Sequence, residues 1–245
     1  MRQTRAVGHY DSAIEQALAN FWGSRDAQAA RQRATGVVDA GTRGAVTGGA
    51  HLNAVTDLIT ESMAGALPGN VSVHTGGGGR GGGTTIPGYF RPTKTWDIVM
   101  RQAGRVVGVI ELKSQVGSFG NNANNRAEEA LGNATDLLAA QRHGLIPDNV
   151  FVGYAFVIEH SPRSDAPSSL GSQGGSVVDQ AFHRASYIDR VALLCERVVE
   201  DGLYTAAWCV ATSAPPDFGW MEPYPVTTGF ERFAETLRAH LVRLA

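Results

Sequence analysis

Asp97, Glu111 and Lys113 stand in the order D-x13-E-x-K, and those three residue types together could hydrolyse a phosphodiester. Two converging carboxylates offer the hard oxygen ligands that Mg²⁺ prefers, leaving coordination positions for water. The metal would acidify a bound water and offset charge developing on a phosphate. A lysine beside them would orient or deprotonate that water and stabilise the pentavalent phosphorus. The competing reading is plainer: an E-x-K pair on a strand surface, with Asp97 as a charge near a turn.

The elements that must position these residues are legible. Thr95–Arg101 and Arg105–Ser114 read as strands joined by Gln102-Ala103-Gly104, a link short enough for an antiparallel hairpin. Strict alternation puts Val107, Val109, Glu111 and Lys113 on one face, with Ile110 and Leu112 on the other, toward core. Asp97 is expected on the partner strand, alongside Glu111. Upstream, His51 to Ala66 has Leu52, Val55, Leu58, Ile59 and Met63 at helical spacing and stops at Leu67-Pro68-Gly69-Asn70. Asp57 and Glu61 are four apart on that helix, so they share a face. Either could add a metal ligand, Glu61 by preference, or both could belong to a solvated surface.

The remaining chain reads as helix from His9 to about Arg33, a Gly/Thr/Ala-rich connector over 35–50, and a strand at Val71–Val73. The glycine run 76–83 lacks the G-K-[ST] ending of a phosphate-cradling loop and is expected to be flexible. A helix from Asn125 to Gln141, a central strand Phe151–Glu159, a surface loop over 160–180, a helix Ser186–Val199, a strand Leu203–Ala211 and a closing helix Gly229–Leu244 follow. This order implies an α/β domain with a mixed β-sheet flanked by helices. One domain spanning 1–245 is expected, with a helical N-terminal extension over 1–45 and a catalytic core over 51–160.

Composition narrows the class. Of 245 residues, 43% are hydrophobic and 18% charged, as in ordinary globular proteins. No apolar run approaches a membrane span and no signal-peptide stretch is visible, so the cytoplasm is the expected compartment. Two cysteines without metal-ligand spacing argue against structural zinc or a disulfide framework. A net charge of −2 argues against charge-driven binding to any nucleic acid, while leaving room for a local basic cleft. Only two of the 21 basic residues are lysines, Lys94 and Lys113. A GC-rich genome explains the bias toward arginine. A site needing a compact ammonium rather than a planar fork would explain the survivors.

The segment Pro87-Gly88-Tyr89-Phe90-Arg91-Pro92-Thr93-Lys94-Thr95-Trp96-Asp97, followed by Val109-Ile110-Glu111-Leu112-Lys113-Ser114, resembles the PD-(D/E)XK nuclease core. Its continuation, Gly117-Ser118-Phe119-Gly120-Asn121-Asn122-Ala123-Asn124-Asn125-Arg126-Ala127-Glu128-Glu129-Ala130, is similar to the XhoI-type family of type II restriction endonucleases. The strong match covers roughly 84–140, and Trp96 stands where the superfamily name has proline. The resemblance implies a restriction-endonuclease-like fold, Mg²⁺ as cofactor and double-stranded DNA as substrate. It further implies cleavage at 5′-CTCGAG-3′ after the first C. A palindrome is most simply read by a two-fold homodimer. A cognate DNA methyltransferase is expected in the same system. A structure-specific repair or junction nuclease, or a noncatalytic DNA-binding protein of the same fold, are the alternatives.

Asparagine can pair bidentately with adenine, and arginine with guanine. Asn121, Asn122, Asn124, Asn125 and Arg126 are therefore candidate DNA contacts, and Glu128 a candidate acceptor from cytosine. Arg91 and Lys94 are candidate phosphate contacts. The competing reading makes this stretch a polar loop capping the next helix, with Asn124 or Asn125 as N-cap.

Overall fold

A computed structural model describes residues 8–34, 50–76, 83–170, 175 and 177–245, without the side chains of 31–34 and Asn121. Most of the 35–50 connector and of the glycine run 76–83 lies outside the described residues.

Among the described residues, five helices of ten residues or more pack on a six-stranded sheet ordered β1-β4-β5-β6-β7-β8. In chain order these elements are α1 (Asp11–Ala34), α2 (Asn53–Ser62), β1 (Val71–Thr75), β2 (Thr85–Pro87), β3 (Thr93–Thr95), β4 (Ile98–Gln102), β5 (Arg105–Gln115), α3 (Phe119–Arg142), β6 (Phe151–Glu159), α4 (Tyr187–Glu200), β7 (Ala206–Ser213), β8 (Gly219–Met221) and α5 (Phe230–Val242). Strands β5, β6 and β7 run parallel, while β1, β4 and β8 pair antiparallel with their neighbours. The mixed α/β sheet with flanking helices is as expected. Strands β2 and β3 form a separate antiparallel ribbon.

The sheet divides two apolar layers. On one face Ile14, Leu18, Phe21 and Trp22 of α1 join Val55, Leu58 and Ile59 of α2 and Phe230, Phe233 and Leu237 of α5 over Ile98, Ile110 and Leu112. On the other, Ala130, Ala134 and Leu137 of α3 and Ile188, Val191 and Cys195 of α4 cover Val99, Val109, Val152 and Tyr154. Each large side chain so buried contributes about 1.5–3 kcal/mol. The N-terminal helix is thus packed into the first of these layers, and its Trp22 Nε1 donates to Thr212 Oγ1 on β7 (3.2 Å).

The hairpin forms as expected, and its two-residue turn needs left-handed backbone at Ala103 (φ 47°) and Gly104 (φ 83°). Two details differ from simple alternation. A bulge slips the register between Met100 and Arg101, so that Val106, not Val107, pairs with Arg101. Val107 consequently joins the α1/α2/α5 layer, away from Val109. Secondly, the strand containing Asp97 is broken: β3 ends at Thr95 and β4 starts at Ile98. Both faces of β5, not one, meet core.

Helix α3 begins at Phe119, six residues before the expected Asn125. Phe119 is buried and stacks on Tyr187 (centroids 5.6 Å apart), so packing carries the helix back through asparagines of weak intrinsic propensity. Ser118 occupies the N-cap position at φ 46°, which removes Asn124 and Asn125 from that role. Helix α2 is shorter than expected, entering through a 3₁₀ turn at Ala50–Leu52 and loosening after Ser62.

Candidate active site

Pairing explains why the three charged residues converge. Ile98 pairs with Ile110, so β4 stops opposite the point where β5 continues toward Gln115 paired with β6 only. The chain leaves the sheet at Trp96-Asp97, opening a gap between the two strands. Asp97 fills it: its Oδ2 accepts from the backbone N–H of Leu112 at 2.7 Å, an N–H that β4 would otherwise have paired. Its own carbonyl accepts from Gly76 N (2.8 Å). Glu111 and Lys113 project from β5 toward α3.

Glu111 is only 2% exposed, and both of its oxygens meet ammonium groups. Lys113 Nζ lies 2.6 Å from Oε1 and Lys94 Nζ 2.8 Å from Oε2. Lys94 also donates to Thr95 O (2.8 Å) and sits over the Trp96 ring, 4.9 Å from its centroid. Lys94, read from sequence as a phosphate contact, is therefore part of the carboxylate cluster. The two lysines of the chain converge on one glutamate.

Helix α3 supplies the rest through a polar stripe at 126, 129, 133 and 136, a spacing of three, four and three that keeps one helical face. Asn133 Nδ2 donates to Glu111 Oε1 (3.4 Å). Glu129 lies 3.7 Å from Lys113 Nζ and 2.7 Å from Arg126 Nη1. Asp136 accepts from Arg91 Nε (2.8 Å), while Arg91 Nη2 donates to Asn133 Oδ1 (2.9 Å). Asn133 and Asp136 were not singled out in the sequence. The signal was the polar stripe itself, running beside buried Ala130, Ala134 and Leu137.

The other candidates fall elsewhere. Asp57 is exposed on α2, which packs on the opposite face of the sheet from Glu111. Glu61 lines a surface cleft with His9, Tyr10, Glu231 and Arg238. Neither is brought to Asp97 and Glu111, because helical periodicity selects a helix's buried side but not the sheet face it covers. Asn122 donates to Ser118 O (3.1 Å) and Asn124 accepts from Arg190 (3.1 Å). Asn125 and Glu128 are exposed on the first turns of α3. Asn121's side chain lies outside the described residues. Arg126 turns inward to Glu129.

Burial, and then the nearby Glu111 charge, push the Asp97 carboxyl up from 3.8 to about 6, outweighing the Leu112 N–H and the two lysines. Burial is the largest single influence on Lys113 and opposes its charge, but the charge and hydrogen bond of Glu111, with the charges of Glu129 and Asp97, together outweigh it and raise the pKa, so this ammonium stays protonated at neutral pH. It can donate to a water or phosphate; it is not placed to take a proton.

The raised Asp97 value has a consequence for stability. Unfolded Asp97 ionises near 3.8 and folded Asp97 near 6, so the folded state holds the extra proton between those values. Stability is lost as pH rises through that window, by up to about 3 kcal/mol. Asp97→Asn is expected to raise the melting temperature in metal-free buffer at pH 8, with the gain vanishing at pH 4. An equal gain at both pH values would show that the charge is not the cause.

Among the described residues no group of three or more His, Cys, Asp or Glu side chains forms a ready cage for a metal. Asp97 and Glu111 are nonetheless a hard-oxygen pair whose mutual repulsion a divalent cation would relieve. Among the described residues no helix is long and apolar enough to cross a membrane.

The chain is similar to known restriction enzymes. A family model described as restriction endonuclease XhoI matches residues 31–217. The type II restriction enzyme XhoI of Xanthomonas vasicola is 34% identical over 203 residues, covering 80% of this chain and 78% of that protein. BstVI of Geobacillus stearothermophilus is 36% identical over 177 residues (69% and 76%), and AbrI of Azospirillum brasilense 35% over 162 (65% and 71%). No solved structure matches the chain. The chain belongs to the XhoI family of type II restriction endonucleases.

Proposed function

We propose that the protein cuts both strands of duplex DNA in a Mg²⁺-dependent reaction, at a palindromic site for which 5′-CTCGAG-3′, cut after the first C, is the leading candidate. The observation that carries this reading is the buried Glu111 beside Asp97, flanked by two lysines where β4 departs from β5. Asp97 and Glu111 are the residues that would hold the metal, with waters completing its shell. Bound there, Mg²⁺ supplies Lewis acidity at the phosphate and acidifies a water. Lys113 donates to the attacking water or the phosphate and stabilises the charge that develops. Lys94 balances the second oxygen of Glu111 and lies within reach of an arriving phosphate. Asn133 holds Glu111 in place from α3.

The exposed start of α3 supports DNA contact by Asn125 and Glu128, with Asn121, Asn122, Asn124 and Arg126 on the same two turns. In this reading Arg91 contacts a phosphate while Asp136 and Asn133 orient it. Two subunits related by a two-fold axis would place one such site on each strand. The cytoplasm, with a partner methyltransferase, is the setting this activity fits.

The test is digestion of plasmid DNA with Mg²⁺ and sequencing of the ends. Discrete fragments ending at one hexanucleotide are the expected result. Nicking governed by DNA structure, or no cutting with any divalent metal, would refute it.

A further inference from the structure

The ribbon β2–β3 carries at its tip two aromatic side chains that the cluster around Glu111 does not use. Phe90 is 71% exposed and Tyr89 44%. Tyr89 stacks on His143, with centroids 4.1 Å apart and planes at 11°, and meets Phe90 edge-on at 5.0 Å. A phenyl ring held in water gains nothing from folding.

The tip is nevertheless firmly built. Buried Asp136 accepts from the backbone N–H groups of Tyr89 (2.9 Å) and Phe90 (2.7 Å) as well as from Arg91. Gly88 packs so closely that a Cβ there would lie 2.6 Å from Asp136 Oδ2 and 2.7 Å from Arg91 O. The exposure of Phe90 therefore belongs to a fixed turn. This turn is tied to the reaction centre twice: through Arg91 and Asn133 to Glu111 (2.9 and 3.4 Å), and through Lys94 on β3 (2.8 Å).

We propose that Phe90 is a DNA-contacting wedge, which enters the base stack beside the cut phosphate while Tyr89 and His143 back it. Apolar side chains inserted at a base step partly unstack it, and base–aromatic contacts contribute about 1–3 kcal/mol each. Arg91, the next residue in the turn, would hold the adjoining phosphate. The proposal rests on the protein acting on duplex DNA. Its occupant is a base step rather than a second copy of the chain, because Arg91 of the turn is hydrogen-bonded to Asn133, which itself donates to Glu111, so that whatever meets the tip lies beside that glutamate.

The experiment compares wild type, Phe90→Ala and Phe90→Trp. Wild type is first used to map the cut site. Duplexes of that sequence, with 2-aminopurine moved through successive positions, are then bound without divalent metal. The expected result is brightening at one step with wild type and Phe90→Trp. Phe90→Ala should lose it, with about 10- to 100-fold weaker binding and an unchanged melting temperature. If wild type cuts but Phe90→Ala matches it in brightening and affinity, the wedge is wrong and the nuclease reading stands. If Phe90→Ala instead converts a dimer to monomers while the brightening persists, the tip is a subunit contact and the wedge is again wrong. Failure of wild type to bind or cut duplex DNA would overturn both readings.

Discussion

Glu111→Gln is expected to abolish DNA cleavage, by about four orders of magnitude or more, while the protein still folds and binds DNA. Such a loss corresponds to about 5.5 kcal/mol of transition-state stabilisation. Glutamine keeps the length and one acceptor of the side chain, enough for Asn133 and Lys113, which share Oε1, while Lys94 loses Oε2 and keeps only the Thr95 carbonyl. It removes the negative charge on which the metal reading depends. Glu111→Ala should be equally inactive but less stable, because it leaves Lys94, Lys113 and Asn133 with no acceptor at all where Glu111 now meets them at 2.8, 2.6 and 3.4 Å. Stranding charges in a largely buried cluster typically costs about 3–5 kcal/mol. Single-turnover cleavage with Mg²⁺, gel-shift binding and thermal unfolding measure the three effects. Substantial residual cutting by Glu111→Gln would remove this residue from the metal site.

Lys113→Arg is expected to lower the cleavage rate by about 10²- to 10³-fold with little change in DNA affinity. The charge is conserved, so a role limited to attracting DNA would survive the substitution. The geometry would not. Lys113 fits between Glu111 (2.6 Å) and Glu129 (3.7 Å), with Lys94 already on the other oxygen of Glu111. A planar guanidinium would seek a bidentate pairing with Glu111 and displace Lys94. Its donors would then face the glutamate, not the attacking water. Wild-type rates for Lys113→Arg would refute the positioning argument, and a matching fall in affinity would point to a phosphate contact instead.

Much of this site was legible because β-structure repeats every two residues. The alternation over 109–113 put Glu111 and Lys113 on one face, and the short Gln102-Ala103-Gly104 link brought Asp97 back to them. What alternation cannot reveal is a bulge, and the slip at Met100/Arg101 sent Val107 to the far face. Nor could it show that Asp97 works by leaving the strand, since its hydrogen bond to Leu112 N replaces a ladder partner. Asn133, Asp136 and Lys94 reach the cluster from 17 to 25 positions away from Glu111. Only tertiary packing makes such pairs. Asp57 and Glu61 stand apart from the cluster for the converse reason: their helix was readable, but the side of the sheet it would cover was not. The start of α3 was misplaced because a buried Phe119 outweighed the low helix propensity of the asparagines that follow it.

Helix α3 also fixes a phase. Its first turns carry the asparagine cluster, and the same continuous rod carries Asn133 and Asp136 two to four turns further on. Asn133 lies eight positions beyond Asn125, about 12 Å along the axis, with each residue turning the rod by about 100°. Deleting a single residue between them would swing the cluster to a different azimuth and draw it in by about 1.5 Å. Sequence change within this rod is therefore confined to replacement, residue for residue. Variation in chain length is left to the connections around it, such as 143–150 and 160–170, where an added residue alters no angle between the glutamate and whatever the asparagines touch.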